Sequence, residues 1–202
     1  MKYASIDIET TGLDEKTCDI LEFGAVLDDL SCPKPIDQLP RFHCYFLPPS
    51  GENYTGSPFA LSMHPAIFLR IANREKPFDY ISPHKLGFAF KKFLAKNGYV
   101  IEKDRITINV AGKNFGSFDL KFLEAKTDLL KHVGIRHRII DPSSLYYREG
   151  DEALPGTEEC KRRYNSLSGE SIPTKVEHNA IADAIDVIYL VRYALSHRTF
   201  LV

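Results

Sequence analysis

Apolar and polar positions along this chain fall into two periods, one of strands and one of helices. Residues 2–8 (KYASIDI) form a short apolar run with β-branched members, ending in acids before the polar turn TTGLDE, which predicts a strand. Residues 20–29 (ILEFGAVLDD) and 41–48 (RFHCYFLP) predict a second and a third. The short links between them imply an antiparallel meander, the second connection being the longer. Pro48, Pro49, Gly51, Gly56 and Pro58 then punctuate a loop. The pattern next turns helical: Leu86, Phe90, Phe93 and Leu94 recur at helix spacing, and Gly98 is a stop signal. Residues 105–111 (RITINVA) predict a fourth strand, 117–133 a helix with Phe118, Phe122, Ala125, Leu129 and Val133 on one stripe, and 137–141 (HRIID) a fifth strand. The stretch 142–177 is rich in Pro, Gly and charge and predicts one short helix near Glu158–Asn165. The final helix, 179–196, buries Ala184, Ile188, Val191 and Leu195. Three meandering strands followed by alternating helix and strand predict an α/β fold with a mixed five-stranded central sheet flanked by helices, in which strands one, four and five are the parallel part.

Length and composition bound this picture. A chain of 202 residues is one ample domain, with 142–177 as a possible insertion. The net charge of −1 lacks the basic excess with which proteins grip long duplexes. Any nucleic-acid partner is therefore expected to be short or single-stranded, held locally or with the help of cations. Cys18, Cys32, Cys44 and Cys160 show no CxxC spacing, so they predict reduced, mostly packed thiols and a cytoplasmic setting. The N-terminus enters a strand at once, and no apolar run approaches the length of a membrane span. A homo-oligomer is possible, but no feature of the sequence indicates one.

The candidate chemistry lies in carboxylates. Asp7 and Glu9 are two apart in a strand, so both point to one face. Adjacent carboxylates repel and raise each other's pKa, and a hard cation such as Mg²⁺ or Mn²⁺ relieves that repulsion. Solvated acids at a strand end are the alternative. Asp119 follows the fourth strand at the start of a helix, where an acid suits the dipole whatever its function, but also where α/β folds place ligands. His178 and Asp183 are five apart. On one helix they would differ by roughly 140° and share no face, so they can act together only if the helix begins between them. Asp186, three residues on, is a competing ligand.

These motifs together resemble the DnaQ-like 3′–5′ exonucleases of the RNase H-like fold. The resemblance rests on DIETTGL (7–13) with ILEFGAV (20–26), AGKNFGSFDLKFL (111–123) and HNAIADA (178–184), in order across nearly the whole chain. The histidine five residues before the last aspartate resembles the DEDDh subgroup. Asn114, five before Asp119, resembles the spacing of oligoribonuclease-like and TREX-like members. The resemblance implies two-metal hydrolysis of a single-stranded DNA or RNA 3′ end to 5′-mononucleotides. Asp7 would bridge both ions, Glu9 and Asp183 would hold the one that binds the attacking water, and Asp119 would act more weakly on the other. His178 would be the general base. It further implies that the backbone near Thr10 and Thr11 meets the terminal sugar, that Leu13 wedges against the last base, and that Asn114 orients the site. Leu61, Met63 and His64 are expected on the opposite wall. Segments 49–83 and 146–157 match no signature. The competing readings are a non-catalytic nucleic-acid-binding module, a polymerase-associated subunit, and an endonuclease of the same fold.

Overall fold

The computed structural model describes residues 1–48 and 53–197. Its first strands are β1 (Lys2–Thr10), β2 (Ile20–Asp29) and β3 (Arg41–Phe46). They pair antiparallel in sequence order, the meander expected from the alternating pattern. Beyond them, the loop expected from Pro48 to Pro58 is irregular over 53–57 among its described residues, and the stretch that follows, to which the pattern assigned no element, is structured. It holds α1 (Pro58–Met63), α2 (Pro65–Asn73) and β4 (Asp79–Ile81). Pro58 and Pro65 sit at the first helical position, where the missing N–H costs nothing, so they start helices instead of breaking them. Pro49 and Gly51 lie outside the described residues.

α3 (Leu86–Lys96) follows, then β5 (Ile106–Ile108), β6 (Val110–Ala111), α4 (Asp119–Lys126), α5 (Leu129–His132) and β7 (Val133–Ile135). The expected fourth strand thus splits at Asn109, whose carbonyl accepts the Ala4 N–H (2.9 Å) and whose side chain donates to the Lys2 carbonyl (2.9 Å). The expected helix 117–133 breaks at Thr127–Asp128. There the Thr127 hydroxyl bonds the Leu123 carbonyl (2.6 Å), and Asp128 accepts the Gly87 N–H at the start of α3 (2.7 Å). A side chain competing for helix backbone and a tertiary partner for the next residue together end the helix. The chain finishes with α6 (Pro142–Leu145), α7 (Thr157–Ser168) and α8 (Ala180–Ser196).

The main sheet has the order β4-β3-β2-β1-β6, with β4 and β6 parallel to their neighbours, and is therefore mixed and five-stranded. Its membership differs from expectation. Residues 137–141 give only a single parallel bridge, Ala111 to Ile140, and the fifth place is taken by β4. β5 leaves the main sheet to pair with β7 in a separate two-stranded parallel sheet.

Two faces of β1 define the layers. Ala4, Ile6 and Ile8 pack with Phe23, Phe90 and Phe122 in the core on the side of α3 and α4. Tyr3 joins Val26, Ala184, Ile188 and Val191 on the side of α8, and the Ser5 hydroxyl donates to the Ala184 carbonyl (2.8 Å). Period two therefore carries Asp7 and Glu9 onto the α8 face. Cys18, Cys44 and Cys160 are buried, Cys32 is exposed, and all are free. Among the described residues no helix is long and apolar enough to cross a membrane.

Candidate active site

One cleft of about 200 Å³ is lined by Asp7, Glu9, Asn114, Asp119, His178 and Asp183. They arrive from three parts of the fold: β1, the turn into α4, and the start of α8. Asp7 and Glu9 extend the row that begins at Tyr3 and Ser5. Asp119 opens α4, is 3 % exposed, and accepts the Ile8 N–H of β1 (3.1 Å). That bond fastens the first turn of α4 to the strand that carries the other acids. Asp183 lies in the first turn of α8, and His178 precedes the helix. Asn179 is the N-cap, its side-chain oxygen accepting the Ala182 N–H (3.0 Å). The helix thus begins between His178 and Asp183, the arrangement their spacing requires. His178 is exposed and adopts a left-handed backbone with φ of 52°, which costs a non-glycine residue about 1 kcal/mol or more.

Two β2 residues outside the expected site, Glu22 and Gly24, build this corner. Glu22 is fully buried on β2 directly opposite Glu9. It accepts the Ala180 N–H and the Asn179 side-chain amide (both 3.3 Å), and it bonds His43 (2.5 Å). A carboxylate at the N-terminal end of α8 suits the helix dipole. Gly24, opposite Asp7, lets the helix come close: a Cβ there would lie 2.5 Å from the Ala180 carbonyl carbon. The glutamate and glycine of ILEFGAV are legible only as strand residues until α8 is placed on them.

One carboxylate oxygen from each of Asp7, Glu9 and Asp183 lies within 4.8 Å of the others. Burial, reinforced by Asp119, Asp183 and Glu9, holds the Asp7 carboxyl well above the usual carboxylate range. Burial with the charges of Asp183, Glu22 and Asp119 pushes Glu9 up to about 9. Burial raises Asp119 to about 7, and burial with the neighbouring Asp186 raises Asp183 to about 6. Such a cluster favours whatever neutralises it, a proton or a cation. Asp183 Oδ1 is buried with no hydrogen-bond partner, an acceptor left for something outside the protein. Hard oxygen donors, mutual repulsion and an orphaned acceptor fit a divalent cation of the Mg²⁺ or Mn²⁺ type.

The other sequence candidates separate. Asn114 lines the cleft with φ of 54°, and its N–H is held by Asp141 (2.9 Å). Both Thr11 backbone groups are engaged inside the protein, the N–H with the Asp19 carbonyl (2.9 Å) and the carbonyl with the Ser57 N–H (2.8 Å). The Thr10 hydroxyl is turned back onto the Gly12 carbonyl (2.7 Å). Leu13 is 86 % exposed beyond the cleft. Leu61 and Met63 on α1 are half-buried and do not line it. His64 does reach the cluster: it is 5 % exposed, with Nε2 3.5 Å from Glu9 Oε2 and its ring 6.3 Å from that of His178. Burial and the charge of His178 lower its pKa. Asp186 is bound elsewhere, paired with the buried Lys161 of α7. Thr157 and Val176, from the Pro-, Gly- and charge-rich stretch 142–177, complete one wall.

No family model matches the chain, and no curated protein matches it by sequence. The crystal structure of cell-death related nuclease 4 (CRN-4) aligns with a TM-score of 0.64 at 14 % identity, covering 98 % of this chain. This chain spans 64 % of the length of that one. A mixed five-stranded sheet flanked by helices is thus an arrangement shared with a nuclease, and the fold is RNase H-like.

Proposed function

We propose that this chain is a metal-dependent 3′–5′ exonuclease that hydrolyses single-stranded or short DNA or RNA to 5′-mononucleotides. The observation that carries the reading is the convergence of Asp7, Glu9 and Asp183 oxygens within 4.8 Å of one another, beside a partnerless buried Asp183 Oδ1. The motif resemblance supplies the polarity, and the likeness to a nuclease fold supports phosphodiester chemistry in general.

Asp7, Glu9 and Asp183, with Asp119 behind them, would hold two divalent cations, Mg²⁺ or Mn²⁺. When bound, such ions neutralise phosphate charge and make a water nucleophilic near neutral pH. The protein's own part is to fix the acids and move the proton. Asp119 keeps α4 against β1 through the Ile8 N–H. His178, exposed at the cleft rim, accepts the proton of the attacking water at an imidazole nitrogen. The net charge of −1 favours a short or single-stranded end over a long duplex.

The test is a time course on 5′-labelled single-stranded RNA and DNA with Mg²⁺ or Mn²⁺. Shortening one nucleotide at a time from the 3′ end is expected. Asp7→Ala should abolish it, and His178→Ala should reduce it by about 10²–10⁴-fold while leaving Mn²⁺ binding intact. Full activity in both variants, or cleavage of a circular strand, would overturn the assignment.

A further inference from the structure

Lys161 is an unusual residue for this chain to bury. It is 1 % exposed, and a lysine is almost never fully buried without a partner. It projects from α7, within the Pro-, Gly- and charge-rich stretch 142–177, and its ammonium has two acceptors. One is the Asp186 carboxylate on α8. The other is the backbone carbonyl of Lys175, at 3.0 Å.

Both contacts bear on the third motif. Asp186 lies one helical turn after Asp183, where i and i+3 side chains are neighbours. Pairing it with Lys161 withdraws it from the cleft and leaves Asp183 as the α8 carboxylate in the cluster. Lys175 lies three residues before His178, whose left-handed backbone persists only if its flanks are fixed. The downstream flank is fixed by Glu22, through Asn179 and Ala180. The upstream flank is fixed by Lys161. No hydrogen bond of the His178 side chain itself is among those described; its ring stands edge-on to that of His64, centroids 6.3 Å apart, and its backbone is held between these two anchors.

We propose that Lys161 is a positioning residue for the active site: its buried ammonium holds the Lys175 carbonyl so that His178 stands at the cleft rim, and keeps Asp186 out of the carboxylate cluster. This rests on His178 acting in the reaction proposed above. It assigns a task to α7, namely to brace the segment that leads into α8.

The test compares the full wild-type chain with Lys161→Met/Asp186→Asn, which removes the ammonium without leaving a buried unpaired carboxylate. Two readouts are taken. The first is kcat and KM on a single-stranded oligonucleotide with Mn²⁺. The second, independent of activity, is limited trypsin cleavage at the Lys175–Val176 bond, whose carbonyl Lys161 holds. The expected result is a folded variant with kcat lowered on the order of 10- to 100-fold, KM within about two-fold, and cleavage at Lys175 at least about ten times faster with other sites unchanged. Lys161→Arg, which keeps charge and donors, should recover most of both. Wild-type kcat and wild-type cleavage in the double variant overturn the proposal. So does a double variant that fails to fold, since Lys161 would then serve the whole domain and not this segment. A wild-type chain without hydrolytic activity would refute the proposed function, while the cleavage rates still decide whether Lys161 braces the segment.

Discussion

Gly24→Ala should injure the site without altering any of its functional side chains. A Cβ at residue 24 would lie 2.5 Å from the Ala180 carbonyl carbon and 2.6 Å from both the Ala180 oxygen and the Ile181 nitrogen. Carbon atoms in contact sit about 3.5–4.0 Å apart, so α8 and β2 must separate locally by about 1 Å. All three atoms are backbone, and no rotamer change can absorb the clash. The first turn of α8 carries Asp183, and residue 24 faces Asp7 across the β1–β2 register, so the separation opens the carboxylate cluster itself. Overpacking of this kind costs about 1–3 kcal/mol. For a chain of this size that is a fall in Tm of about 2–12 °C. A displacement of about 1 Å in the reacting geometry costs on the order of 10²-fold in kcat. Thermal melting and oligonucleotide hydrolysis measure the two effects. Gly156→Ala, where a Cβ meets nothing within 4 Å, is the control. A Gly24→Ala protein that melts and turns over like wild type would show that the close approach of α8 to β2 does not set the site.

Two further outcomes follow from the same geometry. Glu9, Asp119 and Asp183 have folded-state pKa values raised to about 9, 7 and 6, chiefly by burial. The folded chain therefore retains protons that the unfolded chain has lost above about pH 4, so the metal-free protein should lose stability as pH rises from about 5 to 9. Mg²⁺ should raise Tm more at pH 8 than at pH 5, because it replaces those protons; a metal-free Tm that climbs over this range would contradict the reasoning. Thr11→Val removes a hydroxyl that accepts the Asp19 N–H at 2.7 Å and donates to the Thr55 carbonyl. Stranding those partners should cost about 1–3 kcal/mol, read as a lower urea midpoint, and an unchanged midpoint would mean that water replaces the hydroxyl.

The sequence determined what is local or periodic. Strand alternation put Asp7 and Glu9 on one face, because side chains of a strand repeat every two residues whatever surrounds them. The five-residue spacing of His178 and Asp183 required a helix start between them, and Asn179, a good cap, supplies it. The tertiary structure decided what depends on pairing and approach. It gave the fifth place in the sheet to β4 instead of 137–141, because a three-residue strand has no periodic signal and exists only through its neighbour. It ended the helix at Asp128 because α3 supplied an N–H for that carboxylate. It placed Asp183 beside Asp7 and Glu9 and paired Asp186, the competing acid of the same turn, with a lysine buried on α7. It also set Glu22 and Gly24, ordinary letters in a strand, against the start of α8, and Lys161 of α7 against Asp186 and the Lys175 carbonyl. These contacts span 14 to 158 residues of chain, and such contacts leave no pattern in the residues on either side of them.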